Sequence, residues 1–88
     1  MSEKILSDVH EFHRTNDMAQ VTFLKMSGQT SQGIAWEGNT CYWLFRVSDG
    51  LMDLIDNFAS GEAQVEPREY NRIFTMTKRE FYDSKEGV

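Results

Sequence analysis

GNTCYWLFRVSDG, residues 38–50, places a turn signal at either end of an aromatic-rich run. Gly38 and Asn39 both tolerate positive φ, which suits a two-residue hairpin turn. A turn there sets the pairing of a hairpin over residues 31–47: Trp36 faces Cys41, and Ile34 faces Trp43. Side chains alternate across a strand, so Ile34, Trp36, Cys41, Trp43, Phe45 and Val47 share one face, and Ala35, Tyr42, Leu44 and Arg46 share the other. Turn chemistry and period-2 hydrophobicity are independent signals, and here they agree. The first face is expected beneath helices, the second outward.

Immediately downstream, Leu51, Leu54, Ile55 and Phe58 follow the i, i+3, i+4, i+7 spacing of a helix over residues 49–60. Ser48 or Asp49 can cap its start with a side-chain oxygen, and Gly61 suits a left-handed end. Asp49 and Asp53 near its start also suit the helix dipole. A second helix begins at Pro67, whose missing N–H costs nothing at a first helical position. Tyr70, Ile73, Phe74, Thr77 and Phe81 carry it to about Asp83, and the tail SKEGV is expected to fray. Upstream, residues 17–27 read as a helix capped by Thr15, Asn16 or Asp17 and followed by Gly28. Its β-branched Val21 and Thr22 weaken the intrinsic propensity.

Two strands alone make a marginal sheet. The edges need cover, and two sources exist. One is a third strand from residues 9–13, VHEFH, although Ile5, Val9 and Phe12 also lie at helical spacing. The other is a second copy of the chain, for which outward Tyr42 and Leu44 supply apolar surface. The expected architecture is therefore α+β: a β-hairpin, with or without a third strand, packed by three helices. Residues 1–11 form an N-terminal arm and residues 12–88 a single small domain. The simplest assembly is a two-fold dimer, against a monomer in which residues 1–13 cover the edge.

At 88 residues the chain holds one domain with a thin core. It contains no apolar run of the roughly 18–20 residues a membrane span needs. The start, MSEKILSDVHEF, lacks the basic and apolar segments of a signal peptide. Cys41 is a lone cysteine, which excludes an internal disulfide. These features point to the cytoplasm.

The net charge of −5 argues against broad contact with a phosphate backbone. The charge is divided, however. Residues 49–66 contain Asp49, Asp53, Asp56, Glu62 and Glu66 and no basic residue, whereas residues 67–82 contain Arg68, Arg72, Lys78 and Arg79 against Glu69 and Glu80. Two solvated helix faces that attract each other are the plain expectation.

No catalytic motif emerges. His10 and His13, three apart beside Glu11, can share one helix face, but zinc needs three or four ligands and Cys41 is the lone thiol. The hairpin register puts Cys41 on the core face, which makes it inert as a nucleophile. Asp53 and Asp56 are the kind of pair a polar helix surface produces freely. Gly28, Gly33 and Gly38 mark element ends, not a phosphate loop. No metal, cofactor or enzymatic activity is expected. Tyr42, Trp43, Phe45 and Arg46 resemble the stacking strand of single-strand nucleic-acid binders, but such platforms need outward aromatics beside positive charge. On this register only Tyr42 and Arg46 look outward.

FHRTND leading a helix, the aromatic strand, GLMDLIDNFASGEAQVEPREY and a closing REFYD together resemble a family of small bacterial and phage proteins catalogued as a domain of unknown function. The family has a similar RT-D entry, a glycine near the end of its first helix, an aromatic-rich strand and a link of the NGEA-V-PRE type between its last two helices. The likeness covers roughly residues 12–83, and this chain departs from it in its longer arm. It implies a fold rather than an activity, and it supplies no catalytic residues. Its phage association implies an accessory protein acting on a host component, in the host cytoplasm if phage-encoded. The expected function is then binding of a protein partner through Tyr42, Leu44 and Arg46 together with Asp49, Asp53 and Asp56. The acidic stretch from Asp49 to Glu66 would meet a basic partner by charge complementarity. The alternative is nucleic-acid binding through Arg68, Arg72 and Arg79 on the last helix.

Overall fold

The computed structural model describes residues 12–86. The order is β1 (Phe12–Thr15), α1 (Met18–Met26), β2 (Ser31–Glu37), β3 (Thr40–Arg46), α2 (Asp49–Ser60) and α3 (Pro67–Glu86). The three strands form one antiparallel sheet in the order β1-β3-β2, which with three helices makes an α+β fold. The arm at residues 1–11, including Ile5, Val9, His10 and Glu11, lies outside the described residues.

The hairpin has the expected register, with Trp36 opposite Cys41 and Ile34 opposite Trp43. Gly38 takes φ 61° while Asn39 keeps negative φ, so only the first turn residue is left-handed, as in type II′ turns. The alternation is broken once: Ser31 pairs with Phe45 and Gly33 with Leu44, leaving Gln32 as the extra residue of a bulge. The third strand exists, but it runs two residues past the expected 9–13 stretch. Phe12 pairs with Arg46 and Thr15 with Trp43, so β3 is the central strand.

The core is Val21, Phe23 and Leu24 of α1, Cys41, Trp43 and Phe45 of β3, and Leu51 of α2. Cys41, Trp43 and Phe45 are the alternate residues that the period-2 pattern assigns inward. Val47 is a correction: it is 39% exposed, because β3 ends at Arg46 and the chain turns away towards α2. α1 buries four consecutive residues, Val21–Leu24, since it packs against β1, α2 and α3 at once. That surround overrides the modest propensity of Val21 and Thr22. The hydroxyl of Thr22 donates to the Met18 carbonyl at 2.7 Å, so its burial leaves no polar group unmet.

Each helix starts on a side-chain acceptor. Asp17 caps α1 by accepting from the amides of Ala19 and Gln20. Ser48 caps α2 by accepting from Leu51 N at 3.1 Å. Glu66 accepts from Glu69 N at 2.6 Å ahead of Pro67. Gly61 ends α2 with φ 79°. The expected fraying after Asp83 is corrected, for α3 continues to Glu86. The reason is tertiary: Trp36 Nε1 donates to Ser84 Oγ at 2.7 Å and Phe81 packs on the Trp36 ring, pinning the last turns to β2.

Candidate functional site

The strand register sorts the sheet into two faces. Trp43, Phe45, Cys41, Thr15 and His13 point to the helices. Phe12 and Arg14 on β1, Tyr42, Leu44 and Arg46 on β3, and Gly33, Ala35 and Glu37 on β2 share the outer face. Arg14, Ala35, Glu37 and Arg46 are exposed, while Phe12, Tyr42 and Leu44 are half-buried. The expected outward set of Ala35, Tyr42, Leu44 and Arg46 is all here. Residues 9–13 read equally as strand or helix, so the sequence alone does not place Phe12 and Arg14 on this face. The alternation of Phe12 and Arg14 with His13 and Thr15 is the signal that finds them.

Guanidinium groups and rings interleave on this face. Arg14 lies 4.3 Å from the centroid of the Tyr42 ring and also pairs with Glu37. The Glu37 carboxylate raises the Arg14 pKa further above its already high value. Arg46 lies over Phe12 at 5.3 Å. Leu44 sits between these pairs. Its neighbour on β2 is Gly33, where a Cβ would meet nothing within 4 Å. The face is therefore open beside Leu44 on its β2 side.

Two residues after Arg46, Ser48 opens α2. At 100° per residue, Asp49, Asp53 and Asp56 fall within an arc of about 60° on the side away from Leu51, Leu54, Ile55 and Phe58. All three aspartates are exposed, and none has an ion-pair partner among the described residues. Arg68, Arg72 and Arg79 are also exposed and lie within an arc of about 40° on α3. The expected attraction between the acidic and basic helix faces is not how the charges pair. Arg72 is held by Glu69 of its own helix, which lowers the carboxyl pKa and raises that of the guanidinium. α2 packs on α1 instead.

Among the described residues the imidazole is engaged and the thiol is buried. His13 Nε2 is 3.0 Å from Gln20 Oε1. Cys41 is 4% exposed, and burial pushes its thiol pKa up. Among the described residues no three His, Cys, Asp or Glu side chains cluster as a metal site would require. A cavity of about 260 Å³ beside Lys25, Ser31, Ile73, Met76 and Glu80 is walled by an amine and a carboxylate already bonded to each other at 2.7 Å. A smaller one of about 160 Å³ lies at Trp36, Gly38, Asn39 and Lys85. Among the described residues no helix is long and apolar enough to cross a membrane.

Fold and surface together define a small α+β domain with a mixed aromatic and charged outer sheet face. No family model, curated protein or solved structure matches the chain.

Proposed function

We propose that this is a non-enzymatic binding protein whose working surface is the outer sheet face together with the aspartates of α2, and whose ligand is another protein. The observation that carries this reading is the grouping of Phe12, Tyr42 and Leu44 with Arg14 and Arg46 on one sheet face. Aromatic residues and arginine are the side chains enriched where proteins meet. A buried thiol and an engaged imidazole support binding over catalysis. An accessory role in a phage or mobile element, exerted in the host cytoplasm, rests on the family resemblance alone.

The test is Leu44→Glu. It should keep the helical circular dichroism and melting of the parent while losing capture of protein partners by immobilised chain. Retained capture would remove the outer face from the reading.

Nucleic-acid binding is the second reading, and a specific feature favours it: Arg68, Arg72 and Arg79 form one exposed stripe of α3. Against it stand the −5 net charge and the tie of Arg72 to Glu69. The outer face meets more of the stacking-platform requirements than the sequence indicated, since Phe12 and Arg14 join Tyr42 and Arg46. Its rings, however, already carry the chain's own guanidinium groups.

A further inference from the structure

We propose that the protein bound at this surface is a second copy of the chain, in a two-fold dimer where the aspartate stripe of α2 from each protomer lies on the arginine-bearing sheet face of the other. This inference rests on the protein-binding reading above and names its partner.

Charge complementarity chooses the occupant. The sheet face offers Arg14 and Arg46 around Leu44, and the same chain offers Asp49, Asp53 and Asp56 on an exposed stripe without ion-pair partners among the described residues. The spacings agree. Arg14 is opposite Leu44 and Arg46 is two residues on, a diagonal relation that separates them by about 7–8 Å. Aspartates three and four apart on a helix sit about 5–6 Å from one another, and arginine's long side chain closes the difference. Arginine presents five N–H donors, so Arg14 can keep Glu37, and Arg46 the contacts it already makes, while each reaches a further carboxylate.

Apolar surface matches as well. Met52, 42% exposed, borders the aspartate stripe, and half-buried Leu44 has no side chain beside it at Gly33. Finally, the two patches are neighbours in the chain, with Arg46 only three residues before Asp49. A two-fold arrangement lets each patch meet its complement on the other protomer, so that every contact occurs twice. Doubling is how small patches approach the roughly 800 Å² per partner of a stable interface.

The experiment is light scattering on the full chain at micromolar to submillimolar concentration. Wild type should run at twice the 10.2 kDa chain mass and shift towards that mass as salt rises. Arg46→Asp alone and Asp53→Arg alone should each be monomeric, with unchanged circular dichroism. Mixed in equal amounts, the two variants should recover the dimer. In the mixed pair the two substituted side chains, their signs exchanged, oppose each other at one contact, and the native Arg46 and Asp53 meet at the other. A monomeric wild type, a dimer indifferent to both variants, or a mixture that stays monomeric would each overturn the inference. A monomeric wild type whose Leu44→Glu variant still loses capture of another protein sinks the dimer while leaving the binding reading intact.

Discussion

Trp43 Nε1 donates to Glu80 Oε1 at 3.1 Å, and the same oxygen accepts from Lys25 Nζ at 2.7 Å. One carboxylate thus joins the central strand to α3 and α1. Lys25 also donates to Thr77 Oγ1 at 3.2 Å, and Thr77 is fully buried. The indole is 1% exposed, so its N–H depends on Glu80 for a partner. Glu80→Ala should therefore cost about 1–3 kcal/mol, the penalty of an unmet buried donor. Glu80→Gln, which keeps an acceptor, should cost less. Urea unfolding of both variants checks the order, and equal losses would show that the Lys25 ion pair dominates.

Trp43→Ala removes the largest fully buried side chain. The loss should be about 3–5 kcal/mol, combining lost transfer energy with a cavity. For so small a domain that approaches the whole stability. A variant melting within a few degrees of wild type would contradict the packing of β3.

The end of α3 rests on Trp36 and Ser84. Ser84→Ala should cost about 1 kcal/mol and speed amide exchange in the last turn, leaving exchange at Ile73–Thr77 unchanged. Unaltered exchange at residues 82–86 would show that the helix holds there by local propensity.

Alkaline pH should destabilise the protein. Burial raises the Cys41 thiol pKa, and burial together with the Asp17 charge raises the Tyr70 phenol pKa. Each folded-state pKa lies above its unfolded value, so the unfolded chain releases its proton first. The stability from keeping these groups neutral is complete below the unfolded pKa, about 8.5 for a thiol, and is lost as pH rises beyond it. Melting temperature should fall from about pH 8.5 upward in wild type, and less steeply in Cys41→Ala. Parallel profiles would exclude Cys41 as a cause.

Nucleic-acid binding should be unmeasurable in wild type at physiological salt. If Arg68 and Arg72 do hold phosphates, replacing both with Ala should weaken binding across all sequences and flatten its salt dependence. A sub-micromolar affinity for an oligonucleotide, titrated by fluorescence anisotropy, would put the α3 stripe ahead of the sheet face.

Features that depend on neighbours along the chain were legible in the residues alone. Gly38–Asn39 with alternating side chains specified the hairpin and its register, and so placed Tyr42, Leu44 and Arg46 on one face and Trp43 on the other. Ser48, Gly61 and the stripe from Leu51 to Phe58 delimited α2 and put Asp49, Asp53 and Asp56 on its far side. Other features needed the folded chain. Phe12 and Arg14 join the outer face because β1 pairs with β3 across a long stretch of chain, and a one-residue slip in that pairing would have turned both inward. Val47 left the core and Ser84 kept its helix through contacts, or their absence, that no local pattern encodes. Caps and periodicity express short-range geometry, whereas the match between a strand and its distant neighbour depends on loop closure and on how the whole core packs.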